Sequence, residues 1–308
     1  MDLNHSHFGF RTDRVLNQRN QFVKMFVKTL TIVALLAVAS AAPANWNTTG
    51  SEGRVVNGVI AVRGDIPWHA HIDIQQSNGN IIFCGGALIS REWVVTVAEC
   101  VNQAAAGRVL LGSLRFGVGF ESGISDVVVH PRYSENRANN VALLRLARPI
   151  NFSFDVQGAL LPPSRFQSFH FENHFGRFSG FGSRGKSIHR CGPRQPTNVP
   201  SFPCAGVNPN LDLEWTYLRV TSTNDCFRRF PHVSQAVLCA APFNAWRGTP
   251  GFGDGGSPLV WRFQNRDFLI GLFAYGQPEE IFRGQPAGFV RIPVFTPWIS
   301  SVTGIRVA

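Results

Sequence analysis

Charged residues make up only 16% of this 308-residue sequence, against 44% hydrophobic ones. So small a charged share excludes a solvated disordered chain and a charge-laced coiled coil, and 30 glycines are far too few for a collagen repeat. No apolar run reaches the roughly 20 residues that cross a bilayer, so no membrane span is expected. Lysine is almost missing: beyond Arg54 only Lys186 remains, and the positive charge is nearly all guanidinium, which stays ionised and suits carboxylate, sulfate or phosphate partners. CxxC pairs are missing too, and no histidine stands at zinc-ligand spacing from a cysteine, so neither a metal nor any other cofactor is expected.

What is plentiful points the other way. Thirty Gly, 19 Pro and 26 Phe imply many turns and aromatic-filled strands rather than long helices. The length suits two core-sized units, or one β-rich domain preceded by processed segments. The second reading fits the N-terminus. From Met25 the text runs MFVKTLTIVALLAVASA, with Lys28 as a basic flank, Leu30 to Ala39 as a short apolar run and Ala39-Ser40-Ala41 as a small-residue cleavage site. Residues 25–41 therefore read as a secretory signal peptide and 42–54 as a propeptide. Residues 1–24 fit neither, which makes Met25 the expected start. The expected location is extracellular.

In a secreted chain the six cysteines read as disulfides. Removing residues 1–54 takes six basic and three acidic groups from the formal +10 and leaves +7. That charge is either a solvated surface or a docking face for acidic glycans; a nucleic-acid partner is not expected. His69 and His71, in WHAHID, alternate onto one face of an expected strand, and two ligands alone make a poor metal site, so both are given structural roles. Sequons stand at Asn47 and Asn151, the first within the propeptide.

From Arg54 onward an ordered series appears: RVVNG, PWHAHIDI, CGGALISREWVVTVAEC, NNVALLRL, SGFG, GDGGSPLV and PWISSVTG. This order resembles the trypsin/chymotrypsin-like serine proteases, most closely their secreted arthropod branch, over residues 55–308. The resemblance implies an all-β fold of two packed six-stranded antiparallel β-barrels with a short C-terminal helix, near Phe295 to Gly304. It also implies a histidine, an aspartate and a serine at three positions where this sequence has Glu99, Asn140 and Gly255. Peptide hydrolysis in that family needs a hydroxyl nucleophile, an imidazole base and an orienting carboxylate, and a glycine offers no atom to acylate. Ser257, two residues late, is displaced by several ångströms, whereas the reaction tolerates roughly 1 Å, so it is expected to bond locally in its turn.

The resemblance assigns further positions. Gly253 and Gly255 match the backbone donors of an oxyanion hole. Cleavage after Arg54 would free Val55, whose ammonium would pair with Asp254. Thr249 replaces the acidic pocket base of trypsin-type members, Ala274, Tyr275 and Gly276 form one pocket wall, and Ala287 replaces a glycine in the other, adding a methyl expected to narrow the slot. Cys84 with Cys100 and Cys226 with Cys239 match family bridges, and Cys191 with Cys204 pair by elimination. Gly251 stands at a cysteine position, so the tie from the nucleophile loop to the pocket wall is lost. Between Ser183 and Leu213 lies a Pro-rich, basic segment read either as part of a partner-binding surface or as a tolerated insertion. The Phe166 to Phe181 run is read as core and inter-barrel packing.

These residues lead to an expected secreted serine protease homologue without peptidase activity, acting as a binding or regulatory module on a protein partner such as a protease or its substrate. Two alternatives remain: a residual serine-type endopeptidase, and a polyanion or microbial-surface binder.

Overall fold

The computed structural model describes residues 58–134, 136–182, 212–231, 236–243 and 248–307. The expected signal peptide, propeptide, Met25 start, Arg54, Val55, Asn47, Cys191 and Cys204 lie outside these residues.

Six strands close the first barrel: β2 (His69–Gln76), β3 (Ile81–Leu88), β4 (Trp93–Thr96), β5 (Ala104–Arg115), β6 (Val118–Val129) and β7 (Ala142–Leu146), in the spatial order β2-β3-β4-β7-β6-β5. Their sequences alternate or run apolar because one or both faces are buried. In β2 Ala70, Ile72 and Ile74 are fully buried, and β7 supplies Ala142, Leu143 and Leu144. Short turns fix the register, as at Gly79, where a φ of 84° lets the β2–β3 hairpin reverse between Gln75 and Ile81.

A second closed set contains β8 (Phe175–Gly180), β9 (Glu214–Val220), β10 (Val237–Pro242), β11 (Pro258–Phe263), β12 (Arg266–Tyr275) and β13 (Ala287–Arg291). It runs β9-β10-β13-β12-β11-β8 and closes through β8–β9, while β1 (Val59–Ile60) adds to the edge of β9. All ladders of both barrels are antiparallel, so the expected all-β architecture holds. Among the described residues three short α-helices, α1 (Ala98–Val101), α2 (Thr223–Arg229) and α3 (Pro278–Ile281), precede the terminal α4 (Ile292–Thr303). No helix among the described residues is long and apolar enough to cross a membrane.

The terminal helix begins three residues earlier than expected. Pro293 sits in its first turn, where the missing N–H is no loss and the fixed φ suits a helix start, and Gly304 ends it at φ 72°. The phenylalanine run also differs in part. Phe166, Phe171, Phe178 and Phe181 are buried as expected, but Phe169 and Phe175 are exposed, the latter edge-on to the exposed Phe243.

Two bridges match the expectation: Cys84–Cys100 ties β3 to α1, and Cys226–Cys239 ties α2 to β10. The paired histidines are packed inside. His69 Nδ1 lies 3.0 Å from Ser179 Oγ, joining β2 of the first barrel to β8 of the second, and His71 Nε2 lies 2.8 Å from Asp73 Oδ1. Burial, and then the neighbouring His71, push the His69 imidazole down to about 3, so it is neutral at ordinary pH.

Candidate functional site

Glu99 and Asn140 come together where α1 meets the entrance to β7. The Glu99 N–H donates to Asn140 Oδ1 at 2.9 Å, and Asn140 is fully buried. The Glu99 carboxylate turns outward, with Oε2 3.0 Å from Arg137 Nε. Burial pushes the Glu99 carboxyl above the usual carboxylate pKa, while Arg137 and the Asn140 side chain pull the other way. A carboxylate so placed sits in a charge pair rather than beside a nucleophile.

Gly255 completes the group. Its carbonyl accepts from Gly85 N at 2.8 Å, and Cys100, the residue after Glu99, lies against it. A Cβ built on Gly255 would meet only Cys100 Sγ, at 3.9 Å, an ordinary contact. The backbone therefore does not require glycine here, and a serine would fit. Gly256 differs: its φ of 82° and a Cβ only 2.3 Å from Gly85 O would exclude any side chain. Ser257 is 1% exposed, and its turn bond is made by its N–H to Asp254 O at 2.9 Å, not by the hydroxyl as expected. A Cβ on Gly85 would stand 2.2 Å from Ser257 Oγ, which places that hydroxyl against the backbone of β3. Gly253, at φ 90°, and Gly255 donate their N–H groups to no backbone carbonyl among the described residues.

Asp254 is fully buried. Its Oδ1 accepts from Gly182 N and its Oδ2 from Gly251 N, both at 2.8 Å. Burial pushes its carboxyl up to about 7 despite those two donors, and Glu214 adds to the rise. So the proposed partner of a freed ammonium is held meanwhile by backbone amides.

The side chains at the expected pocket positions are buried. Thr249 is buried with its hydroxyl unbonded among the described residues, Ala274 and Tyr275 are buried on β12, and Ala287 is fully buried in a cluster with Ile281, Ala240 and Phe289. The methyl of Ala287 is thus part of the apolar core of the second barrel. Where the missing cysteine tie would have run, α3 folds back and buries Ile281 completely, its Cδ1 3.2 Å from where a Cβ on Gly276 would be. Truncating that side chain, as Ile281→Ala, is expected to cost about 2–5 kcal/mol in urea unfolding, the range for a fully buried aliphatic residue.

Two participants were not foreseen, Arg137 and Ile281. Arg137, left-handed at φ 62°, lies over Glu99, and the Tyr275 hydroxyl donates to Arg137 O at 2.9 Å, linking the two sides of the cleft. Arg137 stands three residues before Asn140, but no spacing rule marks a lone cation in a loop, so the sequence carries no signal for it. Among the described residues no group of three or more His, Cys, Asp or Glu side chains is placed to hold a metal ion. Asn151 is exposed, with Oδ1 accepting from Arg91 Nη2 at 2.6 Å.

Comparisons with known proteins extend over this whole region. The family model described as Trypsin matches residues 55–199 and 203–299. The collagenase of Hypoderma lineatum is 27% identical over 261 residues, 82% of this chain and 89% of that protein. Serine protease 1 of Drosophila melanogaster is 28% identical, with 82% and 87% covered. Vitamin K-dependent protein C of Rattus norvegicus is also 28% identical, but the chain spans only 52% of it. A solved structure titled HL collagenase superposes with a TM-score of 0.68 at 26% identity, covering 81% of this chain and 99% of that one.

Proposed function

Starting from a chain that belongs to the trypsin family, we propose that it is a secreted homologue that has given up peptidase chemistry and works by binding a protein partner in an extracellular proteolytic or immune cascade. The observation that carries this reading is Gly255: its Cβ space is open, so the absence of a hydroxyl there is a property of the residue and not of the fold. Two further facts support it. Glu99, at the base position, is spent on Arg137, and Ile281 Cδ1 comes within 3.2 Å of the Cβ position of Gly276. An oxyanion hole with binding alone would leave only ~10³ to 10⁴ over water, too little for a working peptidase.

Hydrolysis of a mixed peptide library by the purified, Arg54-cleaved protein tests the reading. No turnover is expected. Turnover that survives repurification and disappears with Ser257→Ala would establish the displaced-nucleophile alternative instead.

Activation by cleavage is retained in this proposal as a shape change. Freeing Val55 would exchange the two backbone donors on Asp254 for an ammonium, and the loops carrying Gly182 and Gly251 would rearrange with it. The cleaved form is expected to bind its partner at least tenfold more tightly than an Arg54→Gln chain, a difference of about 1.4 kcal/mol. Equal affinities in surface plasmon resonance would refute this part.

A further inference from the structure

On the second barrel, away from Glu99, Asn140 and Gly255, a cavity of about 430 Å³ opens between α2, the start of α4 and the segment before β8. Its walls include Ser168, His170, Thr221, Thr223, Phe227 and Arg291. Arg291 is the buried arginine among the described residues. It is 6% exposed, and no carboxylate pairs with it among the described residues. Only its Nη2 is bonded, to Gln167 O at 2.7 Å and Phe169 O at 3.0 Å. Its Nε is buried without a partner. Anchoring two carbonyls uses one nitrogen of the fork and leaves the guanidinium charge uncompensated.

A buried, unpaired charge is costly, and buried cations are ordinarily matched by an anion. Burial alone lowers the pKa of the Arg291 guanidinium, with no neighbouring carboxylate to offset it. Two carboxylates stand near the rim and both are engaged: Asp225, next to Cys226, by Ser222 Oγ at 2.7 Å and by Arg228, and Glu172 by Thr223 of the cavity wall, whose N–H donates to it at 2.7 Å. Besides Arg291, the polar side chains lining the cavity are the hydroxyls of Ser168, Thr221 and Thr223, the Gln167 amide and the His170 imidazole, and Phe227 and the disulfide of Cys226 and Cys239 supply an apolar wall. The volume exceeds what a bare sulfate or carboxylate would fill.

We infer that this cavity is a binding site for one anionic sugar unit, a sulfated or carboxylated hexose, with its oxyanion on Arg291 and its hydroxyls toward Ser168, Thr221 and Thr223. Guanidinium matches such an oxyanion through its planar fork, and an apolar wall suits a sugar face. The site does not depend on the fate of the triad positions.

Titration calorimetry of the intact protein with N-acetylglucosamine 6-sulfate, N-acetylglucosamine and inorganic sulfate tests it at fixed ionic strength. Saturable binding of the sulfated sugar is expected, at least tenfold tighter than that of the neutral sugar or of free sulfate. Arg291→Gln is expected to weaken it about tenfold to a hundredfold, the range for a lost charge-assisted bond. Val294→Trp, which keeps Arg291 and fills the mouth from the exposed side of α4, is expected to abolish it, and it decides the matter if the first variant does not fold. Equal binding of the neutral sugar, equal binding of free sulfate, or binding unchanged in Val294→Trp would each overturn the assignment.

Discussion

Arg54-cleaved protein carrying Glu99→His, Asn140→Asp and Gly255→Ser is expected to be labelled by a small fluorophosphonate at the introduced hydroxyl, at a rate at least ~10⁴ above the natural chain. Each change has a structural warrant. The Gly255 backbone accepts a Cβ with only an ordinary contact to Cys100 Sγ. The Asn140 side chain already points an oxygen at the backbone of Glu99, at 2.9 Å, and an aspartate can accept there equally while its second oxygen orients an imidazole. Replacing Glu99 also releases Arg137 from its ion pair. A small reagent is chosen because extended peptides must still pass the Tyr275 to Arg137 link and the Ile281 side chain. Mass spectrometry of the labelled peptide reads the outcome. Labelling of the natural chain at Ser257, or no labelling of the triple variant, would mean that these are not the three triad positions.

The second large effect concerns stability against pH, where two buried groups act in opposite directions. Asp254 is raised to about 7 in the folded chain from an ordinary 3.8. Between roughly pH 4 and 7 the folded state keeps a proton that the unfolded state has released, so stability from this group falls as pH rises, by up to about 4 kcal/mol at ~1.4 kcal/mol per unit. His69 is lowered to about 3 from 6.5. Across pH 3 to 6.5 the unfolded chain takes up a proton that the folded one refuses, so this contribution rises with pH, by up to about 5 kcal/mol. In the overlap the slopes cancel, and the uncleaved chain should show little net pH dependence from the pair. Asp254→Asn is expected to leave a stability that climbs steeply between pH 4 and 6.5, and His69→Gln one that falls. Urea midpoints at four pH values measure both, and variant profiles parallel to the natural one would contradict this account.

Both barrels and two disulfides were legible because they rest on local patterns: apolar strands punctuated by Gly and Pro, and cysteines held in a familiar order of segments. Glu99, Asn140 and Gly255 were legible for the same reason, since each sits inside a short motif whose neighbours are intact. The helix α4 starts at Ile292, ahead of the expected Phe295, because Pro293 fits a first helical turn. The packing of Ala287 was not legible: Ile281 and Ala240, which share its apolar cluster, come from segments 6 and 47 residues away that no local pattern connects to it. Arg137 over Glu99, Tyr275 reaching Arg137 O, and the lone guanidinium of Arg291 are tertiary encounters of the same kind. Their residue types are ordinary, and only the fold brings them to their partners.

The packing of α3 and Ile281 against Gly276, at a corner where the resemblance implies a cysteine tie, bears on what can open that corner of the molecule. A covalent link yields to reductants and is indifferent to temperature; an apolar contact has the opposite sensitivities. Burial of aliphatic surface weakens on cooling and in the presence of urea, since its driving force near room temperature is largely entropic. The wall around Gly276 should therefore be blind to thiols, yet loosen in the cold or on contact with an amphiphile that offers Ile281 another apolar surface.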